Sequence, residues 1–189
     1  MAKKTVAVLA VQGAFEEHRK MLELLGVETF EIRQLPDLDK EMDGLILPGG
    51  ESSVQGKLLH DLGLFTPLQR KIQEGLPTFG TCAGMILLAK ELENSEALHF
   101  QTMDISVKRN AYGRQLGSFE ATEPFASCGA IPMSFIRAPY IKTVGNTVEV
   151  LAEVQGKIVA AKEKNQMVTA FHPEVTQCTK VHEFFVEML

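Results

Sequence analysis

The chain has 189 residues, 45% of them hydrophobic and 23% charged, with a formal net charge of −5. These values exclude a disordered chain and imply one folded domain over residues 1–189, since a single core serves that length. The acidic balance, with no basic run longer than a pair such as Lys3-Lys4, excludes a protein whose main task is to grip the phosphates of a nucleic acid.

Residues 6–11 form a continuous apolar run, the composition of a strand covered on both faces. The run is too short for a signal peptide or a membrane span, and no other apolar run reaches spanning length. Gln12-Gly13 closes it. Phe15, His18, Met21, Leu22 and Leu25 then recur at helical spacing until Gly26 stops the helix. Residues 27–32 and 43–47 have strand composition, and Pro48-Gly49-Gly50 closes the second run. Ser52 or Ser53 is the expected cap of a helix carrying Val54, Leu58, Leu59 and Leu62. Residues 76–79 are a further strand, and residues 85–89, apolar all round, read as a buried helix.

This alternation of strand and helix predicts an α/β fold. An open, mostly parallel sheet lies between two layers of helices, in the three-layer manner of flavodoxin. The second half changes character. Residues 148–154, 157–161 and 166–171 read as additional, antiparallel strands, with tight turns at Gln155-Gly156 and Lys164-Asn165. Val181, Phe184, Phe185 and Met188 mark one face of a final helix.

Three cysteines, Cys82, Cys128 and Cys178, lie far apart and are odd in number. They form neither a disulfide framework nor a zinc pattern, so a reducing, cytoplasmic setting is expected. Cys82 differs from the other two. Gly80-Thr81-Cys82-Ala83-Gly84 has the G-x-nucleophile-x-G form of a nucleophile elbow between a strand and a helix. Glycines flank such a turn because side chains there would clash. The positive end of the helix favours a thiolate, and the N–H of Ala83 is aimed at a developing oxyanion. A structural cysteine between two packing glycines is the plain alternative.

His172-Pro173-Glu174 follows the strand predicted at 166–171. Residues two apart on an extended chain face the same way. A carboxylate there fixes the tautomer of the imidazole and stabilises the imidazolium. A surface His and Glu beside a turn is the alternative, but the conjunction with an elbow cysteine at another strand end favours chemistry. His18, His60, His99 and His182 show no paired acid in sequence; His18 is expected on a helix surface or at the edge of the core. Pro48-Gly49-Gly50-Glu51-Ser52-Ser53 is a second strand-end loop whose glycines let backbone N–H groups approach a ligand. A phosphate loop is a weaker reading, because neither glycine-rich phosphate pattern is present.

Together, Pro48-Gly49-Gly50-Glu51-Ser52, Gly80-Thr81-Cys82-Ala83-Gly84 and Phe171-His172-Pro173-Glu174 resemble the class I, triad-type glutamine amidotransferases across nearly the whole chain. The strings at 11–18, 109–115 and 135–139 look more specifically like the PdxT family, the glutaminase subunits of pyridoxal 5′-phosphate synthase. The resemblance implies Cys82 as nucleophile, His172 as general base and acid, and Glu174 as its orienter. It implies that Gly49, Gly50 and Glu51 line a site for L-glutamine, with Arg109, Ile136 and Arg137 as further contacts. The N–H groups of Gly50 and Ala83 would form the oxyanion hole. Tyr112 and Val175 stand where Phe and Leu are common, away from the catalytic groups.

The implied partner is the synthase subunit, PdxS, which would take ammonia directly; no cofactor, metal, nucleic acid or membrane is expected. Rival readings are a glutaminase serving another synthase, such as one for histidine or anthranilate, a DJ-1-like cysteine hydrolase, and a scaffold with an inactive site.

Overall fold

The structure, a computed structural model, describes residues 3–93, 95, 97, 99–109 and 117–189. β1 (Thr5–Leu9) is the central apolar run, buried from Val6 onward. It pairs in parallel with β2 (Glu28–Ile32) on one side and β3 (Gly44–Leu47) on the other. β3 pairs in parallel with β4 (Thr78–Thr81), and β4 with β12 (Gln166–Thr169). The parallel order is therefore β2-β1-β3-β4-β12. Every residue of β3, β4 and β12 is buried, as strands covered on both faces require. The chain runs outward from β1 to β2 and then crosses back to β3. Open α/β sheets bind ligands beyond the carboxyl ends of strands beside such a reversal.

Alternation along β4 separates the two helical layers. Phe79 meets His182 and Phe185 of α5 (Lys180–Val186) and His18 of α1 (Phe15–Leu24), so these helices share one face. Gly80 points to the other face, against α4 (Ala83–Leu88), which packs on α2 (Ser52–Asp61). α3 (Phe65–Gln73) follows α2 and buries Leu68 and Ile72, one turn apart.

Beyond β12 the sheet turns antiparallel through β11 (Lys157–Glu163), which also pairs with β10 (Glu149–Val154) and β9 (Tyr140–Val144). β9 pairs with β6 (Met103–Lys108), and β6 runs parallel to β5 (Ala89–Leu92) at the edge. β7 (Ser118–Pro124) and β8 (Ala130–Ile136) form a separate antiparallel hairpin. The turn expected at Gln155-Gly156 has positive φ at both residues, 52° and 73°, the conformation a tight two-residue hairpin demands.

Three expectations are corrected locally, and one helix is added. Neither serine caps α2: Glu51 is the N-cap, and Ser52 is already helical with its hydroxyl buried and unpartnered. The helix after the elbow begins at Ala83, and Ala89 turns extended to open β5. α3, anchored by Phe65, Leu68 and Ile72, was not expected. The first strand ends at Leu9, short of the expected Val11. Residues 110–115 of the string beginning at Arg109 lie outside the described residues.

Candidate active site

Cys82 sits at the turn between β4 and α4 with φ 50° and ψ −99°. A non-glycine residue there is strained, and such strain gathers at functional sites. The turn is held from both ends: Cys82 N–H donates to Thr169 O on β12 (2.7 Å), and Cys82 O accepts from Ile86 N–H (3.2 Å). The two glycines answer different neighbours. A Cβ at Gly80 would lie 2.7 Å from the Gly84 carbonyl, inside the turn, whereas one at Gly84 would lie 2.0 Å from Leu47 O on β3. Gly84 thus serves close packing of helix on sheet, not the turn alone as the sequence suggested.

His172 follows β12 on the neighbouring strand, and its backbone N–H donates to Ser134 O of β8 (2.8 Å). Pro173–Val175 then closes a short 3-10 turn that folds Glu174 back under the ring. His172 Nδ1 and Glu174 Oε1 are 2.6 Å apart, and both residues are buried. Nδ1 being committed to the carboxylate, Nε2 is left for the sulfur, and Cys82 is close enough to act on the ring's pKa. Burial pushes the imidazole pKa down, but the bonds to Cys82 and Glu174 and their negative charge overcome it and raise it to about 10. Burial likewise pushes Glu174 up, but His18 and His172 outweigh it and hold the carboxyl below its ordinary value. Sulfur, imidazole and carboxylate are thereby joined in one line, an arrangement suited to nucleophilic acyl transfer. Gly49 lies behind this line: a Cβ there would come 2.4 Å from His172 Cε1.

The expectation for His18 is overturned. It is fully buried, not at a helix surface, with Nδ1 2.9 Å from His182 Nε2 and Nε2 3.0 Å from Thr81 Oγ1. Its Nε2 also lies 3.6 Å from Glu174 Oε2, so it does have an acid beside it, 156 positions along the chain in sequence numbering (18 to 174). The only sequence signal was its place on the apolar face of α1.

A cleft of about 680 Å³ opens over the sulfur. Gly50, Glu51, Arg109, Ile136, Arg137, Ala83 and His172 are among its walls, so every sequence-selected residue except Gly49 and the deeper Glu174 borders it. Gln12, which sequence reasoning did not select, also lines it and accepts the Glu51 N–H on Oε1 (2.9 Å). An arginine fork is suited to a substrate carboxylate. Cys128 and Cys178 are free and partly buried, and neither borders the cleft.

Comparisons with known proteins agree on the kind of molecule. Residues 8–189 match the model of the SNO glutamine amidotransferase family. A curated relative from Methanocorpusculum labreanum, a pyridoxal 5′-phosphate synthase subunit PdxT, is 61% identical, with 97% of each chain covered. A second of the same name, from Desulfitobacterium hafniense, is 55% identical over 97% of this chain and 92% of its own. A solved structure described as a glutamine amidotransferase superposes with a TM-score of 0.91 at 38% identity, over 97% of both chains.

Proposed function

The chain belongs to the SNO glutamine amidotransferase family, and from that premise we propose that it is the glutaminase subunit of a pyridoxal 5′-phosphate synthase, with Cys82, His172 and Glu174 as its catalytic triad. The observation that carries the reading is the continuous line from the Cys82 sulfur through the His172 ring to Glu174 at the floor of a cleft. The names of the relatives support the choice of synthase.

The proposed cycle has two halves. The Cys82 thiolate attacks the side-chain amide carbon of L-glutamine, and the carbonyl oxygen gathers charge opposite the N–H groups of Gly50 and Ala83. The His172 imidazolium gives its Nε2 proton to the amide nitrogen as the C–N bond breaks, releasing ammonia and leaving a γ-glutamyl thioester. His172, now neutral, takes a proton from water. The hydroxide adds to the thioester, and glutamate leaves as the thiolate returns. Glu174 stays ionised and holds Nδ1–H throughout. Arg109 and Arg137 receive the substrate α-carboxylate, with Gly49, Gly50, Glu51 and Ile136 shaping the rest of the site.

Ammonia released into water is protonated and loses its nucleophilicity. The proposed partner is therefore the synthase subunit, PdxS, docked over the cleft to take ammonia directly and to order the loop at Gly49-Gly50. A cytoplasmic setting belongs to the same proposal, supported by three free thiols. Among the described residues no helix is long and apolar enough to cross a membrane. Cys82→Ala tests the assignment. It should fold as the parent does, with the same thermal unfolding, and lose nearly all ammonia release from glutamine in a coupled assay. Retained hydrolysis refutes it.

A further inference from the structure

Behind the proposed triad lies a buried polar chain that the cycle above does not use. His18 on α1, His182 on α5 and Thr81 on β4 are each fully buried, and Glu174 Oε2, the oxygen turned away from His172, points among them without a conventional hydrogen bond. Buried polar side chains are costly unless paired, and a paired set specifies one arrangement.

Resting on the triad reading, we infer that His18, backed by His182, is a positioning residue that turns its Nε2–H towards Glu174 Oε2 and so keeps the carboxylate ionised and aimed at His172. Two tautomer patterns satisfy the 2.9 Å contact between His18 Nδ1 and His182 Nε2. In one, His18 Nδ1–H donates to His182. A bare Nε2 lone pair then faces the carboxylate 3.6 Å away, and His182 Nδ1–H is left buried with no acceptor. In the other, His182 Nε2–H donates to His18 Nδ1, and His18 Nε2–H points between Thr81 Oγ1 and Glu174 Oε2. Only a lone pair on His182 Nδ1 is then unpaired. The second pattern avoids both the buried orphan donor and the repulsion, so both rings line up as donors towards the carboxylate.

Burial is the largest influence on both rings and favours their neutral forms. Burial, with His18 acting in the same direction and Glu174 opposing, holds His182 down to about 3. Burial also lowers His18; Glu174 and, more weakly, Glu17 on α1 pull the other way, and His172 adds to the lowering. Glu174 is faced by His18 from α1 and by His172 from its own turn, with Cys82 beyond that ring. A neutral donor at this place supports the anion without competing with His172 for its charge.

The test is the pH profile of glutamine hydrolysis in the assembled complex for four replacements. His18→Gln sets an amide nitrogen where Nε2 stood. His18→Asn reaches only the Nδ1 position, and His18→Leu fills space with no donor. Glu174→Gln removes the titrating group. The expected result is that His18→Gln keeps the parent profile. In His18→Leu and His18→Asn, activity lost on acidification is lost about one pH unit higher, because Glu174 protonates sooner. kcat at acid pH then falls roughly tenfold with KM little changed. In a Glu174→Gln background, His18→Leu should shift nothing further. An unshifted acid limb in both His18→Leu and His18→Asn overturns the inference, as does a shift that persists without the carboxylate. If His18→Leu does not fold, the contrast between Gln and Asn decides. Absence of glutamine hydrolysis by the unaltered chain would instead overturn the triad reading beneath it.

Discussion

The charge on His172 is where sequence, burial and chemistry meet. Burial alone lowers its pKa; the bonds to Cys82 and Glu174 and their charge reverse that and carry it to about 10, above the ordinary 6.5. A raised folded-state value means the stability it contributes is complete below about 6.5 and is lost as the pH rises through about 10. The ring is therefore charged across the neutral range and ready to protonate a leaving amine. Its NMR resonances should show no titration between about pH 6 and 8. In Cys82→Ala, which removes one of the partners that raise it, the midpoint should fall. A midpoint near 6.5 in the unaltered chain contradicts the ion-pair description. The residue scale is also where sequence reading stopped short. Cys82 between glycines and His172 two residues from Glu174 are local patterns, and both were legible. His18 and His182 were not, because 164 positions separate them and only the packing of α1 on α5 beneath β4 brings them together.

At the scale of elements, the elbow depends on how closely α4 approaches β3. Gly84→Ala forces a Cβ to within 2.0 Å of Leu47 O, a backbone atom that cannot swing aside. The change should destabilise by about 3 kcal/mol in urea unfolding, even though alanine favours the helix. No shift in the midpoint would show that α4 can slide. Gly49→Ala acts differently, since its Cβ meets the His172 ring, a movable side chain, at 2.4 Å. It should lower the urea midpoint less than Gly84→Ala does but lower kcat by roughly a hundredfold, the effect of displacing a catalytic group by an ångström. Equal losses of stability and rate would contradict that division. The strands of the parallel half were legible because strands buried on both faces are continuous apolar runs. α3 was missed although Phe65, Leu68 and Ile72 recur at helical spacing; its apolar stripe is only three residues long and Pro67 interrupts it. β5, at the edge, mixes buried and open positions with no period, whereas Met103, Ile105 and Val107 of β6 alternate as a half-buried strand does and were a legible signal left unused.

For the whole molecule, the carboxyl ends of β3, β4 and β12 stand side by side, so that the glycine loop, the thiol and the imidazole converge on one cleft. The antiparallel extension and the β7–β8 hairpin supply the remaining walls, with Ile136 43% exposed where it borders the cleft. An open cleft of about 680 Å³ leaves ammonia exposed to water unless a partner covers it. Adding the synthase subunit should therefore raise the rate of glutamine hydrolysis; an isolated chain already at full rate contradicts the gating part of the proposal.

The central claim is that Cys82 attacks glutamine in this cleft. Peptide mapping after treatment with a diazoketone analogue of glutamine reads it directly. One adduct per chain should form on the peptide carrying Cys82, excess glutamine should block it, and ammonia release should fall in step with labelling. Label shared with Cys128 or Cys178 regardless of glutamine, or full ammonia release from a chain fully modified at Cys82, would contradict the account.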